Sequence, residues 1–313
     1  MESLKLSFEA IFPIFVLMLL GYVLKLLKIT DKKGFDAVNA LVFKVFLPVM
    51  LFENIYRTQS SQMFDLKLIV FITVGVIAVF VAGCLVVPRL TDDNAKRSVM
   101  VQSFFRSNYA ILGIPLVNYI CGENSGGMAS LMVALIVPLF NAFAVVCFEL
   151  FRGNGFSGFW RTLVGVVKNP LIIACALGLV FFMTGIKLPT LIEKSVSDVA
   201  KIATPLSIIV LGAGFTFSAT KGYARELVVT VVTKLVLEPL VMLGMAVLLG
   251  FKGEALACLL ITFGAPVAVS SFSMAQQMGG DEKLAAQIIV ISSVLCLFTL
   301  FCWIFALSSV GLF

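Results

Sequence analysis

Apolar stretches of about twenty residues recur from one end of this sequence to the other, and a helix of that length spans the hydrocarbon of a bilayer. The first, from Phe8 to Leu27, holds one acid near its start and one lysine near its end. Repetition on this scale leaves no room for a sizeable soluble domain. Of the 313 residues, 60% are hydrophobic and 13% charged. A soluble globular chain carries roughly 25% charged residues, so lipid is the solvent this composition fits. The opening stretch makes a poor signal peptide, because it lacks a short apolar core ending in small residues and runs on into further spans.

Apolar runs read against charged punctuation predict an all-α membrane protein with ten transmembrane helices, near 8–27, 37–57, 67–88, 98–120, 128–150, 163–185, 191–218, 226–249, 254–279 and 284–308. The formal charge of +6 would elsewhere suggest a nucleic-acid partner. Here the basic residues sit in short loops, and no nucleic acid is expected. Odd-numbered loops hold thirteen of them: Lys25, Lys28, Lys32, Lys33, Arg89, Lys96, Arg97, Arg152, Arg161, Lys168, Lys221, Arg225 and Lys283. The opposite side holds six: Lys5, Arg57, Lys67, Lys187, Lys194 and Lys252. The excess predicts a multi-pass protein of the cell membrane with both termini outside the cytoplasm. Six of the seven cysteines lie inside apolar segments and read as small core residues, only Cys121 being near a loop. Histidine is absent, which removes imidazole relays, His-ligated zinc and a Ser-His-Asp triad, and no cofactor or metal site is expected.

Proline gives the internal symmetry, because a transmembrane helix tolerates it only where the freed carbonyl finds another partner. Pro13 and Pro170 are 157 residues apart, as are Pro48 and Pro205; Pro88 and Pro239 are 151 apart, as are Pro115 and Pro266. At offset 157, Gly21 also meets Gly178, and Lys44-Val-Phe-Leu-Pro meets Lys201-Ile-Ala-Thr-Pro. Residues 1–150 and 151–313 therefore read as two five-helix repeats. Five is odd, so the second copy enters the membrane inverted, the commonest signature of alternating access.

The fourth span contains Arg106-Ser-Asn-Tyr-Ala-Ile-Leu-Gly113-Ile-Pro115 and the ninth Thr262-Phe-Gly264-Ala-Pro266-Val-Ala-Val-Ser-Ser271. Glycine permits a dihedral that breaks a helix and proline removes a donor, so crossing broken helices are expected at Gly113/Pro115 and Gly264/Pro266. A break near the midplane would leave helix N-termini that favour an anion. The bland reading of each motif is a kink that only shapes packing. Gln102, Ser103, Ser107 and Asn108 precede the first break; Ser270, Ser271, Ser273, Gln276 and Gln277 follow the second; Asn141 lies in mid-span. These neutral groups suit either carboxylate recognition or interhelical hydrogen bonding.

Ionisable residues inside spans are few. Arg106 lies nine residues before Pro115, roughly 13 Å along a helix, so it is expected toward the cytoplasmic half, meeting a substrate carboxylate or snorkelling to the interface. Lys234 and Glu238 are four apart and read as a neutralising pair more readily than as a proton-coupling group, and Asp198 and Lys201 read as another pair. No midplane cluster of acids is present to coordinate sodium or calcium.

At these motifs the sequence resembles the auxin efflux carrier family. The residues that carry the resemblance are Asn108-Tyr-Ala-Ile-Leu-Gly-Ile-Pro115-Leu and Ala265-Pro-Val-Ala-Val-Ser-Ser-Phe272-Ser-Met-Ala275, with support from Leu41-Val-Phe-Lys-Val-Phe-Leu-Pro48, Thr204-Pro-Leu-Ser-Ile-Ile-Val-Leu-Gly212-Ala and Asn169-Pro170. The resemblance implies a scaffold of spans 1, 2, 6 and 7, a moving transport domain of spans 3–5 and 8–10, and a homodimer joined through the scaffold. It implies a secondary transporter of small organic anions working by elevator-like movement. Arg106, and the absence of a long central loop, separate this chain from the plant pattern and point to carboxylates such as malate or malonate. The competing readings are a sodium or proton antiporter of the same inverted class, a membrane sensor on this fold and an intramembrane enzyme. The missing aspartate pair, appended domain and catalytic dyad count against them in turn.

Overall fold

The structure is a computed structural model of the chain and describes residues 2–58, 65–122, 126–152, 164–215 and 222–313, with side chains from residue 12 onward and, in the fifth span, from residue 128. Arg161 and Lys221 of the charged loops, residue 163 and residues 216–218 lie outside the described residues, as does the side chain of Lys5. The described residues are helical, in the order α1 (Glu2–Leu26), α2 (Lys32–Leu41), α3 (Leu47–Tyr56), α4 (Leu66–Val86), α5 (Asn94–Phe105), α6 (Tyr109–Cys121), α7 (Gly126–Arg152), α8 (Pro170–Thr184), α9 (Thr190–Gly214), α10 (Ala224–Val232), α11 (Glu238–Leu248), α12 (Gly253–Gly264), α13 (Ser270–Met278) and α14 (Glu282–Ser309). Among them, six rods are long and apolar enough to cross a membrane: Lys32–Tyr56, Leu66–Arg89, Met128–Arg152, Thr190–Gly214, Ala224–Leu248 and Glu282–Ser309. Phe12–Leu26, Tyr109–Cys121, Pro170–Thr184 and Gly253–Gly264 are shorter apolar helices.

Short polar side chains start these helices. The carboxylates of Asp31, Asp65, Asp93 and Asp281 and the amide oxygen of Asn169 each accept a first-turn N–H at 2.8–3.1 Å. Two rods contain a π turn, Val42–Phe46 and Thr233–Leu237, each lying just ahead of a proline. Proline crowds the carbonyl four residues back, and the residue before it reaches five back instead: Leu47 N–H donates to Val42 O and Glu238 N–H to Thr233 O.

Glycine sets the tightest packing. An added Cβ on Gly21 would lie 1.9 Å from the Ile209 carbonyl oxygen, and one on Gly212 would lie 2.0 Å from that of Met18, so α1 and α9 touch backbone to backbone. On the related pair, Gly178 of α8 faces Phe52 and Ile55 of α3.

Among the described residues, the connections that touch one another sort into two faces. On one, Lys32 pairs with Glu282 at 2.8 Å, Lys96 with Glu226 at 2.7 Å, Lys25 donates to Phe215 O and Asp281 N–H to Ala95 O. On the other, Arg57 meets Glu193 at 3.7 Å, Lys67 donates to Leu249 O and Gly253 N–H to Leu312 O.

The sequence expectation at Gly113 and Pro115 is corrected here. α6 runs unbroken through both, and Gly113 serves to admit the Tyr109 ring, 2.9 Å from where its Cβ would be. The chain leaves helix earlier, at Arg106 (φ −91°, ψ 115°), and resumes at Tyr109. In the ninth segment it leaves helix after Gly264, and Ala265 is extended. Neither glycine has a positive φ, so left-handed backbone is not what ends these helices. A tertiary contact fixes both interruptions: Ser107 and Val267 form an antiparallel bridge, and Asn108 N–H donates to Pro266 O at 2.8 Å.

Candidate functional site

The interruption after Phe105 turns Arg106 away from the helix surface and into the protein, where the residue is 3% exposed. It therefore lies at the interruption itself, not a helix length before it on the cytoplasmic approach. Its guanidinium donates to Asn141 Oδ1 at 2.9 Å, to Ser270 Oγ at 2.9 Å, to Gln102 Oε1 at 3.4 Å and to the Met274 sulfur. Gln102 is one turn before it on α5, and Ser270 and Met274 are one turn apart on α13. All four partners are neutral. Among the described residues no carboxylate forms an ion pair with Arg106. A buried cation without a counter-charge costs far more than an exposed one, and neutral acceptors recover only part of that.

The groups beside it include buried polar atoms with no protein partner. Asn108 Nδ2, Ser107 Oγ and Ser271 Oγ are all in this state. Native interiors rarely leave such atoms unpaired, and each one asks for a partner. Asn108 is also the residue before α6, and its side chain makes no capping bond to that helix. Asn141 differs from Asn108: its Nδ2 donates to Val137 O at 2.8 Å on its own helix, leaving its oxygen for Arg106.

Most of these groups line a cavity of about 50 Å³. Arg106, Ser107, Asn108, Asn141 and Ser270 form one side; Met50, Leu51, Leu171, Thr204 and Ser207 of α3, α8 and α9 form the other. Of the residues expected from sequence, Arg106, Asn108, Asn141 and Ser270 come together here. Gly113, Pro115, Gly264, Pro266 and Ser271 do not line it. Pro266 contributes through its carbonyl to Asn108, and the Ser271 carbonyl accepts from Gln102. Ser107, one of the polar residues noted before the first break, also lines it, and sequence reasoning missed Thr204 and Ser207. These two lie three apart beside Pro205, a hydroxyl pair on one helix face that signalled a polar lining. Lys234 and Glu238 do pair, at 2.9 Å and fully buried, but away from this cavity.

Comparison with known proteins supplies the context. A family profile described as "Membrane transport protein" matches residues 6–156 and 160–304. An "Uncharacterized transporter" of Methanothermobacter thermautotrophicus is 26% identical over 304 residues, covering 95% of this chain and 97% of the relative. A second "Uncharacterized transporter", from Methanocaldococcus jannaschii, is 22% identical over 307 residues, 94% of this chain and 97% of that one. A protein of Rhizobium meliloti with the name "Putative malonate transporter" is 24% identical over 302 residues, 92% of each chain.

Proposed function

We propose, from the premise that this chain belongs to the membrane transport protein family, the family of the auxin efflux carriers, that its cargo is a small carboxylate bound at Arg106 and carried by alternating access. The observation that carries this reading is the state of Arg106: buried, oriented by four neutral acceptors and without an acidic partner among the described residues. An anion entering the cavity supplies the missing charge. Ser107 Oγ and Asn108 Nδ2 are then donors already stripped of water, which strengthens their contact with a carboxylate. The relative named for malonate supports dicarboxylates such as malonate or malate.

The layout supports an elevator. Arg106, Ser107, Asn108, Asn141 and Ser270 all stand on one wall, and the facing wall from α3, α8 and α9 is apolar except for Thr204 and Ser207. A ligand held by one wall travels with it. In this reading spans 3–5 and 8–10 move against a scaffold of spans 1, 2, 6 and 7, through which two copies dimerise. Ten crossings in two inverted repeats, 1–150 and 151–313, agree with the sorting of alternate connections to opposite faces. They agree also with the reciprocal packing of α1 on α9 and α3 on α8. The basic loops face the cytoplasm of a cell membrane, with both termini outside.

Counterflow in proteoliposomes tests the cargo. Vesicles preloaded with malonate should accumulate labelled malonate or malate above protein-free controls, and indole-3-acetate should compete poorly. No counterflow with malonate, malate or succinate would reject the proposal. Thiol labelling of Asp31→Cys from the outside of intact cells would reject the orientation.

A further inference from the structure

A second cavity, of about 330 Å³, lies in line with the first. Both share two walls. On α9 the inner cavity is lined by Ser207 and the outer by Val210 and Gly214; on α13 the inner is lined by Ser270 and the outer by Phe272 and Gln276. Three residues of helix, about 4.5 Å, separate them along α9. The outer cavity's remaining walls include Lys25, Lys28, Asp31 and Lys283, so it sits at the face carrying the turns at 27–31 and 279–281.

Two devices join the helices around the outer cavity. The first is the Phe272 ring, which is 1% exposed and so close to Gly214 that a Cβ there would lie 2.6 Å from the ring edge. The second is a chain of side-chain hydrogen bonds tying α2 to α13 and α14. Ser273 Oγ donates to Asn39 Oδ1 at 2.6 Å, and Asn39 Nδ2 donates to Gln276 Oε1. Gln276 Nε2 donates to Asp36 at 2.8 Å and to Glu282 at 2.7 Å, and the other Glu282 oxygen pairs with Lys32. Asn39 is fully buried with both its amide groups satisfied across the helix boundary. These bonds run from solvent to the buried Asn39. Every one joins side chains alone, so parting α2 from α13 breaks them without unravelling either helix.

We propose that Phe272 and the Asn39–Ser273–Gln276 chain form the gate between the Arg106 cavity and the face carrying the 27–31 turn, the larger cavity being the vestibule outside it. The inference rests on the carrier reading of the Arg106 cavity. In the closed state described here, Phe272 plugs the passage and Asn39 holds α13 against α2. Opening separates the two helices and withdraws the ring. The charged outer links, Lys32–Glu282 and Gln276–Asp36, exchange readily with water, and Asn39 and Ser273 are the links that water does not replace while the gate is shut.

The test reads access and not transport, so its result does not depend on the cargo being identified. With the seven native cysteines replaced, a reporter Thr204→Cys in the inner cavity is labelled by a membrane-impermeant thiosulfonate in sealed vesicles. Orientation is read at Lys28→Cys. Asn39→Ala, which removes two buried hydrogen bonds, and separately Phe272→Ala, which removes the plug, should each raise the labelling rate from the vestibule side about five- to tenfold or more through a shift in population. The rate from the other side should stay unchanged. Gln276→Ala, at a half-buried position, gives a smaller rise and guards against misfolding of the first variant. Unchanged rates in all three, or equal rises from both sides, would overturn the gate. A carrier reading that failed on its own would appear as absent counterflow with the labelling response intact.

Discussion

Asn141 has both halves of its amide committed, the nitrogen to the Val137 carbonyl and the oxygen to Arg106. It therefore positions the guanidinium, and its oxygen and one of its two N–H groups are already engaged, unlike the free carboxylate donor a mid-span asparagine suggests when only the sequence is read. Asn141→Asp would place a carboxylate 2.9 Å from Arg106 and supply internally the charge that cargo supplies. We predict that malonate affinity falls about tenfold or more, while the thermal unfolding midpoint stays level or rises. Unaltered affinity would mean that Arg106 does not need an anion from outside. Arg106, Asn108, Asn141 and Ser270 were legible in the sequence as polar or charged residues around the two Gly-x-Pro motifs or in mid-span. Their mutual distances were not. Counting Arg106 back from Pro115 put it a helix length from where it lies, because the interruption is set by a partner segment some 160 residues away (Ser107 against Val267).

At the scale of helices, boundaries followed from chemistry visible in the chain: aspartates that cap, and the left-handed Gly185 and Gly279 that close α8 and α13. The two Gly-x-Pro motifs differ in local structure. Proline inside α6 is tolerated, and only at Gly264-Ala-Pro266 does the helix end beside it. Pro48 and Pro239 instead produce π turns within continuous rods, a response that depends on packing around the freed carbonyl. Glycine at helix contacts yields a direct test. Gly21→Ala pushes a methyl into the Ile209 carbonyl and should destabilise the purified protein by about 1–3 kcal/mol. Gly244→Ala meets nothing within 4 Å and should stabilise by up to about 1 kcal/mol through helix propensity. Thermal unfolding in detergent distinguishes them, and equal shifts would contradict the backbone contact between α1 and α9.

For the whole molecule, the apolar runs carried the membrane class and the helical fold, and the resemblance at residues 108–116 and 265–275 carried the family. The division between the two walls of the Arg106 cavity was not visible, because it depends on which helices pack together across the halves. That division underlies the central claim, that one wall holds a carboxylate through a buried cation and moves with it. The most direct test is titration of purified wild-type protein, Arg106→Gln and Asn108→Ala with malonate and with acetate, alongside thermal unfolding. The account predicts that Arg106→Gln weakens malonate about tenfold or more and acetate less, since a dianion loses more when a full charge is removed, and that Asn108→Ala weakens both by a smaller factor. Unchanged affinity for both anions in both variants, with wild-type unfolding, would contradict it.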